Sequence, residues 1–246
     1  MHVILTGATG LVGGYVLRAC LAEPAITQLS ILSRRNFTLP TDLDATKARI
    51  FVHTDYTSYA AVSEELKGAS ACIWAQGISQ TRVSKEQYIR ITHDYPLAAA
   101  KAFSGPSDAF NFVHVSGEHA DWDEKAPRLF HKIKGRAEKN LRGLSSDYHT
   151  LRVFNVRPGY VEPSNRASLT FGRRLLHGVA SPIFHWVQPL FVCPTDALAR
   201  VLVDLAIGNG EGLAPGPGIE DEGRLVRCIG VRRLQGLSYG GTGHAE

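Results

Sequence analysis

The glycine-rich segment TGATGLVG, at residues 6–13, constrains the fold of this chain more than any other feature. It follows a strand-like apolar run at residues 3–6 and opens a helix-length segment that continues to Ala22. Glycine permits a sharp turn after a strand, and the free N–H groups at the start of a helix attract an anion. The pattern predicts a loop that binds the pyrophosphate of a dinucleotide, with a tight packed turn as the alternative. The residues assigned to this loop are Gly7, Thr9, Gly10, Leu11, Val12 and Gly13.

Short apolar runs alternate with helix-length segments through most of the chain. The runs are dense in Val, Ile and Phe, as expected for strands that are covered on both faces. The predicted strands occupy residues 3–6, 29–33, 49–53, 71–75, 110–115 and 150–154, and the predicted helices occupy residues 11–22, 59–66, 85–103 and 127–144. Pro96 should kink or split the third helix. With right-handed crossovers, the pattern predicts an α/β fold with a doubly wound, Rossmann-like parallel sheet.

The sequence changes in character after Pro158. Aromatic residues between positions 171 and 191 stand among prolines and basic residues, and they either line an apolar substrate pocket or form a packed cap. A helix at residues 195–207, a mobile glycine-rich loop at residues 208–223 and a last strand at residues 225–229 should follow. We expect one domain over residues 1–237, in which residues 160–223 form most of a small substrate cap. Residues 238–246 should form a flexible tail.

Composition and charge exclude several classes of protein. Hydrophobic residues make up 44% of the chain and charged residues 20%, which excludes disordered and collagen-like chains. The formal net charge of +4, with scattered arginines, does not indicate a nucleic-acid-binding protein. The four cysteines lack metal-ligand spacing, which predicts reduced, buried thiols and no metal site. No apolar run reaches the ~18 residues of a transmembrane helix and no targeting segment is recognisable, so a cytoplasmic location is expected.

The residues after the second, third and fourth strands indicate the kind of cofactor. A protein that binds NAD usually has an acidic residue about 20 positions beyond the loop, where it holds the ribose 2′-hydroxyl. Here Arg34 and Arg35 take this place and suit a 2′-phosphate, so NADP(H) is predicted, with a solvated basic turn as the alternative. Asp55 could accept a hydrogen bond from the adenine amino group. The last candidates are Ala75, Gln76 and Gly77, at the end of the fourth strand, where small residues could let the backbone pass beside the cofactor. Ordinary turn chemistry is the alternative both for Asp55 and for this segment.

Five segments together carry a resemblance to a known family. They are TGATGLVG at residues 6–13, SRR at 33–35, FVHVSGEHAD at 112–121, FHKIKGRAE at 130–138 and VRPGYV at 156–161. Through them, the chain resembles the atypical short-chain dehydrogenase/reductases, and within these the Tat-interacting-protein oxidoreductase group and its fungal relatives. The resemblance implies an NADP-binding Rossmann fold with a site at the carboxyl ends of the strands.

The resemblance also implies a catalytic pattern, from which this chain departs. In the superfamily, a Tyr-x-x-x-Lys pair on one helix donates a proton and fixes the nicotinamide ribose, while a serine after the fifth strand orients the substrate oxygen. The matching positions hold Phe130, Lys134 and Ser116, with Gly117 where the group usually has a second serine. Ser116 and Lys134 are thereby implied as catalytic residues, and Lys134 also as a cofactor ligand. Phe130 has no proton to give.

A substitute proton donor is sought among the residues nearby. Glu118, His119 and Asp121 follow Ser116, and His131 is next to Phe130. We prefer His119, because imidazole titrates near neutral pH and this loop should face the nicotinamide. An exposed loop histidine without a role is the alternative. His131 is one helical step from the cofactor-facing position, so it is expected to point elsewhere.

The resemblance implies that the backbone of Pro158 and Gly159 contacts the carboxamide of the nicotinamide, although a rigid exit from the sixth strand would explain them equally well.

Three functions follow from these observations. The preferred function is an NADPH-dependent oxidoreductase that acts on a small apolar carbonyl or enone-type substrate. The alternatives are a non-redox isomerase or cyclase and a catalytically silent protein that senses NADPH. The sequence leaves open whether the chain forms a homodimer.

Overall fold

The computed structural model describes residues 1–104, 109–163, 186 and 188–238. The strands of its main sheet are β1 (His2–Thr6), β2 (Gln28–Ser33), β3 (Ala48–Val52), β4 (Ala71–Trp74), β5 (Phe110–Val115), β6 (Leu151–Arg157), β9 (Ile219–Glu220) and β10 (Leu225–Arg227). They are arranged in the order β3-β2-β1-β4-β5-β6-β10-β9, and every pair is parallel except β10 with β9. The predicted doubly wound parallel sheet is confirmed. The strand order reverses between β1 and β4, which is where such sheets form a binding crevice.

Helices cover both faces of this sheet. On one face lie α1 (Leu11–Ala22) and α5 (Thr195–Ile207), and on the other lie α3 (Tyr95–Phe103) and α4 (Leu129–Leu144). Successive residues of a strand point to opposite faces, so Val3 packs in the first layer and Ile4 in the second. This burial on both sides explains why the strands are continuous apolar runs.

The helix predicted over residues 85–103 has three parts. The helix α2 (Lys85–Ile89) passes into a π-helical segment, Arg90–Asp94, and then into α3. Pro96 lacks the N–H that would bond the carbonyl of Thr92, and its ring crowds that carbonyl. The wider π-turn accommodates this conflict. The expectation that Pro96 interrupts the helix is confirmed.

The prediction of a helix over residues 59–66 is wrong. The segment has one 3-10 turn, Ala60–Val62, followed by further turns. Most of its backbone hydrogen bonds span three residues rather than four, as from Val62 N to Tyr59 O and from Lys67 N to Glu64 O. This tighter winding still buries Tyr59, Val62 and Leu66, and their helix-like spacing caused the error.

The C-terminal part also differs from the prediction. The last parallel strand ends at Arg227 rather than at residue 229, and α6 (Cys228–Leu234) follows it. Helix α6 begins there because the Glu118 carboxylate, distant in sequence, accepts a hydrogen bond of 2.8 Å from Cys228 N. The loop predicted over residues 208–223 contains β9, and Arg142 on α4 forms an ion pair with its Asp221.

A second, two-stranded sheet adjoins the crevice. Its strands β7 (Tyr160–Glu162) and β8 (Val192–Pro194) are parallel. It places Phe191 against the backbone of Gly159. Two of the four predicted cap aromatics, Phe171 and Phe184, and nearly all of the predicted tail lie outside the described residues. All four cysteines are free and buried, as predicted.

Candidate functional site

A cleft along the carboxyl ends of β1, β2, β4, β5 and β6 contains most of the predicted site residues. It has two adjoining parts, which share the lining residues Gly10, Ala75, Gln76, Gly77 and Ile78. The arginine part, of about 640 Å³, is also lined by Arg34 and Arg35. The lysine part, of about 810 Å³, is also lined by Ser116 and Lys134.

The glycine loop has a conformation that only glycine allows. Gly7 has a φ of +72°, and a Cβ on it would lie 2.4 Å from Ala75 O at the end of β4. A Cβ on Gly13 would lie 2.0 Å from Gly7 O, so α1 packs directly on the turn. Gly13 therefore shapes the loop and does not line the cleft. The other predicted loop residues do line it: Gly7, Thr9, Gly10, Leu11 and Val12.

The start of α1 can bind an anion. Its first turn contains no acidic residue, and no side chain caps it. The first N–H groups of a helix have no partner within the helix, and the dipole places partial positive charge there. A phosphate group is the kind of ligand that satisfies both.

The arginine part has a positive charge that no neighbouring carboxylate neutralises. Arg34 and Arg35 are exposed, and in the part of the chain that the structure describes neither guanidinium has an ion-pair partner. Asp55 does not line this part of the cleft. Its carboxylate accepts hydrogen bonds from the backbone N–H and hydroxyl of Thr57, which lower its pKa. These contacts correspond to the alternative of ordinary turn chemistry.

Sequence reasoning missed several residues that line the arginine part. They are Thr54, Tyr56, Ile91 and Tyr95. Thr54 and Tyr56 follow the third strand, so their position could have identified them. Ile91 and Tyr95 belong to the helix interrupted by Pro96, and no local signal distinguishes them. Tyr56 and Tyr95 stack with ring centroids 5.6 Å apart and form an aromatic wall.

Lys134 and Ser116 meet in the lysine part. The Lys134 ammonium donates a hydrogen bond of 2.5 Å to the backbone carbonyl of Ser116. Desolvation lowers the pKa of Lys134 to about 8, although the nearby Glu138 carboxylate partly opposes this. The Ser116 hydroxyl is buried and has no hydrogen-bond partner among the described residues. A side chain at Gly117 would crowd this arrangement, since its Cβ would lie 3.1 Å from Lys134 Nζ.

A buried polar network supports α4 behind Lys134. The Glu138 side chain is fully buried and accepts hydrogen bonds from Arg157 Nε at 2.9 Å and from Trp122 Nε1 at 2.6 Å. The next residues of the network are Asn155 and His114, and burial lowers the pKa of His114 to about 4. This network was not predicted from the sequence. The spacing of Glu138, four residues after Lys134, was the available signal.

The structure separates the four candidate proton donors into two groups. The Glu118 carboxylate bonds Arg227 and Cys228 N, and the Asp121 carboxylate bonds the backbone N–H groups of Asp123 and Ala126. Both carboxylates thus have structural partners. The two histidines, His119 and His131, line the lysine part together with Phe130 and Glu118, and in the described structure their rings have no hydrogen-bond partner.

The expectation for His131 was wrong. Residues three apart share a helix face, so His131 lies on the same side of α4 as Lys134. The pKa of His131 is lowered by desolvation and by the neighbouring His119 and Arg128. His119 is exposed, has a φ of +64°, and stacks on Phe191 with ring centroids 5.8 Å apart. Its ring centroid is 5.7 Å from that of His131.

Pro158 and Gly159 also line the lysine part. The Pro158 carbonyl accepts a hydrogen bond of 3.0 Å from Glu118 N, which joins the ends of β5 and β6. Of the predicted cap aromatics, Phe191 lines this part of the cleft, whereas Trp186 is 88% exposed. Within the described residues, no group of three or more His, Cys, Asp or Glu side chains is placed to hold a metal ion. No helix in the described ranges is both long enough and apolar enough to span a membrane.

Comparisons with known proteins agree with this geometry. The family model described as "NAD dependent epimerase/dehydratase family" matches residues 3–128. The chain is 30% identical to "Leucinostatins biosynthesis cluster protein T" of Purpureocillium lilacinum, and the alignment covers 94% of each chain. A short-chain type dehydrogenase/reductase from Mycobacterium ulcerans shares the fold, with a TM-score of 0.67 and 15% identity over 95% of this chain and 90% of that one. The resemblance to the short-chain dehydrogenase/reductases is thus confirmed.

One expectation is overturned by a relative. The chain is 25% identical to "Protein fmp52, mitochondrial" of Aspergillus fumigatus, over 89% of this chain and 92% of that protein. A cytoplasmic location was expected because no targeting segment is recognisable. The name of this relative contradicts that expectation.

Proposed function

We propose that this chain, which belongs to the NAD dependent epimerase/dehydratase family, is an NADP(H)-dependent oxidoreductase that acts on a small carbonyl or enone-type substrate. The main support is the meeting of Lys134, the unpartnered Ser116 hydroxyl and the glycine loop in one cleft. The bound cofactor supplies a hydride. The protein must then stabilise and protonate the oxygen that gains negative charge.

The preference for NADP(H) rests on Arg34 and Arg35. Each presents a guanidinium to the arginine part of the cleft without a carboxylate partner in the described ranges. A 2′-phosphate would provide the missing negative charge, and a guanidinium can bond it with two parallel N–H groups. The position that would hold the ribose hydroxyl of NAD has no acidic residue.

The predicted site residues of the lysine part each have a proposed role. Lys134 fixes the nicotinamide ribose, and its positive charge stabilises the developing alkoxide. The Ser116 hydroxyl donates a hydrogen bond to the substrate oxygen. His119 donates the proton that Phe130 cannot supply. The backbone of Pro158 and Gly159 borders the nicotinamide.

Titration with NADPH and with NADH tests the cofactor assignment. The double variant Arg34→Ala/Arg35→Ala should bind NADPH at least tenfold more weakly and should bind NADH almost unchanged. Arg49 and Arg200 are exposed and line neither part of the cleft. The variant Arg49→Ala/Arg200→Ala therefore controls for the same loss of two charges. Equal losses for both cofactors would refute the 2′-phosphate assignment.

Two variants test the proton donor, with turnover measured against a panel of carbonyl compounds. His119→Ala should abolish turnover while NADPH affinity stays within a few-fold, and unchanged turnover would exclude this role. His131→Ala tests the other imidazole of the same cleft, and a loss of turnover there but not in His119→Ala would assign the role to His131. The control is His149→Ala, since His149 is exposed and lines neither part of the cleft, and it should leave turnover unchanged. Phe130→Tyr should raise turnover if the substrate geometry is intact, because it restores a phenolic proton donor at the family position.

The absence of a proton donor at Phe130 specifically supports a second function, a catalytically silent NADPH-sensing protein. This alternative predicts tight NADPH binding without turnover of any carbonyl compound, in the wild type and in Phe130→Tyr alike. The same two assays therefore separate the two functions.

A further inference from the structure

The lysine part of the cleft has a cationic group that the proposed function does not use. Arg128 precedes the first residue of α4 and lines this part of the cleft together with His119, His131 and Lys134. Its side chain is exposed. Among the described residues, its guanidinium has no hydrogen-bond or ion-pair partner. Arg128 is therefore free to bind a ligand.

The acidic groups near Arg128 are bonded elsewhere. Glu118 is the one carboxylate in the described lining of this part, and it bonds Arg227 and Cys228 N. Asp121 accepts hydrogen bonds from two backbone N–H groups. The rim of the cleft therefore has an uncompensated positive charge.

The start of α4 adds to this positive charge. The helix has 16 residues, its first turn contains no acidic residue, and no side chain caps it. Its dipole thus reinforces the charge of Arg128. The buried, unpartnered hydroxyl of Ser116 lies deeper in the same cleft and provides a second, independent sign of a missing polar ligand.

The rest of the lining has an apolar surface. Phe130, Val161 and Phe191 line the same part of the cleft as Arg128. An anionic ligand that fits this apolar lining needs an apolar body beside its charged group. The phosphates of the cofactor belong, under the proposed function, at the glycine loop and the arginine part.

We infer that the substrate is a carbonyl compound with a carboxylate group and an apolar body, and that Arg128 binds the carboxylate at the rim of the cleft. This inference rests on the proposed function, because it assigns the remaining space beside the nicotinamide to the substrate. Arg128 thereby determines specificity: it selects an acid over the corresponding amide or ester and holds the substrate with its carbonyl towards Ser116.

Calorimetric titration of the NADPH-saturated protein tests this inference. The probes are 3-phenylpropanoate and 3-phenylpropanamide, which have the same shape, differ in charge and cannot be reduced by a hydride. We expect the carboxylate to bind roughly five to ten times more tightly than the amide, as a partly exposed charge pair allows. Arg128→Gln should abolish this preference, and Arg128→Lys should restore part of it.

A matched control comes from the same helix. Lys132 lines a separate groove between α4 and α2, beside Glu124 and Arg136. Lys132→Gln removes the same charge four residues from Arg128 and should keep the preference for the carboxylate. Circular dichroism should show that all three variants are folded, since both side chains reach the surface.

The outcomes separate this inference from the proposed function. If NADPH binds but the two probes bind equally, or neither binds, the carboxylate site is refuted while the cofactor assignment stands. A preference that persists in Arg128→Gln refutes the role of Arg128. If NADPH does not bind, the proposed function fails, and the same probe pair titrated into the protein alone still decides whether the carboxylate site exists.

Discussion

The replacement Lys134→Met should stabilise the protein at neutral pH. Lys134 holds its ammonium in a desolvated position, where its one hydrogen bond in the described structure is to the Ser116 carbonyl. Desolvation lowers its pKa from the ordinary value of 10.5 to about 8. A methionine of similar length fills the space without a charge and needs no hydration.

The magnitude follows from the lowered pKa. A tenfold change in proton affinity corresponds to about 1.4 kcal/mol, so keeping this ammonium charged at pH 7 costs about 3 kcal/mol of folding free energy. Loss of the hydrogen bond to Ser116 offsets about 1 kcal/mol. We therefore expect Lys134→Met to raise the free energy of unfolding by about 2 kcal/mol at pH 7.

The stability gained by Lys134→Met should decrease as the pH rises above 8. Below pH 8, Lys134 is protonated in both the folded and the unfolded state, and its full cost is present. Between pH 8 and 10.5 the folded state loses this proton first, so the wild type becomes more stable relative to the variant as the pH rises. At pH 9.5 about 2 kcal/mol of the cost should have disappeared, and the two proteins should be nearly equal in stability.

Urea unfolding at pH 7 and at pH 9.5 measures this difference. The experiment uses cofactor-free protein, because a bound cofactor adds its own stabilisation. Lys139 is exposed on the same helix, and Lys139→Met should change the free energy of unfolding by less than about 0.5 kcal/mol. A destabilised Lys134→Met at pH 7, or a difference that does not change with pH, would refute the argument from desolvation.

Three further results are expected. Gly13→Ala should abolish cofactor binding in a fluorescence titration, because its Cβ would lie 2.0 Å from Gly7 O; Gly14→Ala, whose Cβ would be 3.6 Å from Ala8 O, should bind normally. Glu138→Gln should lower the free energy of unfolding by about 3 kcal/mol, since Arg157 loses a buried partner, and a loss below about 1 kcal/mol would contradict this. NMR titration should find the pKa of His131 below 6.5, and Arg128→Gln should raise it, because desolvation and the Arg128 charge both disfavour the imidazolium.

The sheet could be predicted because its strands obey local rules. Each of the first six parallel strands is a short apolar run, and the chirality of the crossovers then limits their order. The errors occur where a contact distant in sequence decides the structure. Arg227 ends its strand because Glu118 accepts a hydrogen bond from the next residue, Cys228. The turns around Tyr59 bury the same residues that a helix would bury, so periodicity alone cannot distinguish them.

The residues of the cleft also divide into those that local sequence rules locate and those that depend on contacts distant in sequence. The glycine loop and the pair Arg34 and Arg35 stand at fixed positions relative to strands, so the chain order alone places them at the crevice. Whether a carboxylate is free cannot be predicted in this way. The sequence favours His119 over Glu118 and Asp121 through the chemistry of imidazole alone, and the partners that occupy the two carboxylates are visible only in the folded chain.

The folding free energy that the lysine part costs favours a catalytic cleft over a catalytically silent protein. A desolvated lysine and a buried hydroxyl without a partner each cost folding free energy, and apolar side chains of similar size would avoid both costs. Such costs are typical of sites whose polar groups are arranged to bind a ligand rather than to pair with one another. The resemblance implies a tyrosine where this chain has Phe130, which cannot donate a proton, but the lysine, the serine hydroxyl and two imidazoles remain around the same space. If this space binds a substrate, NADPH and the substrate together should relieve both costs and raise the melting temperature more than the sum of their separate effects. A merely additive increase would favour the silent sensor.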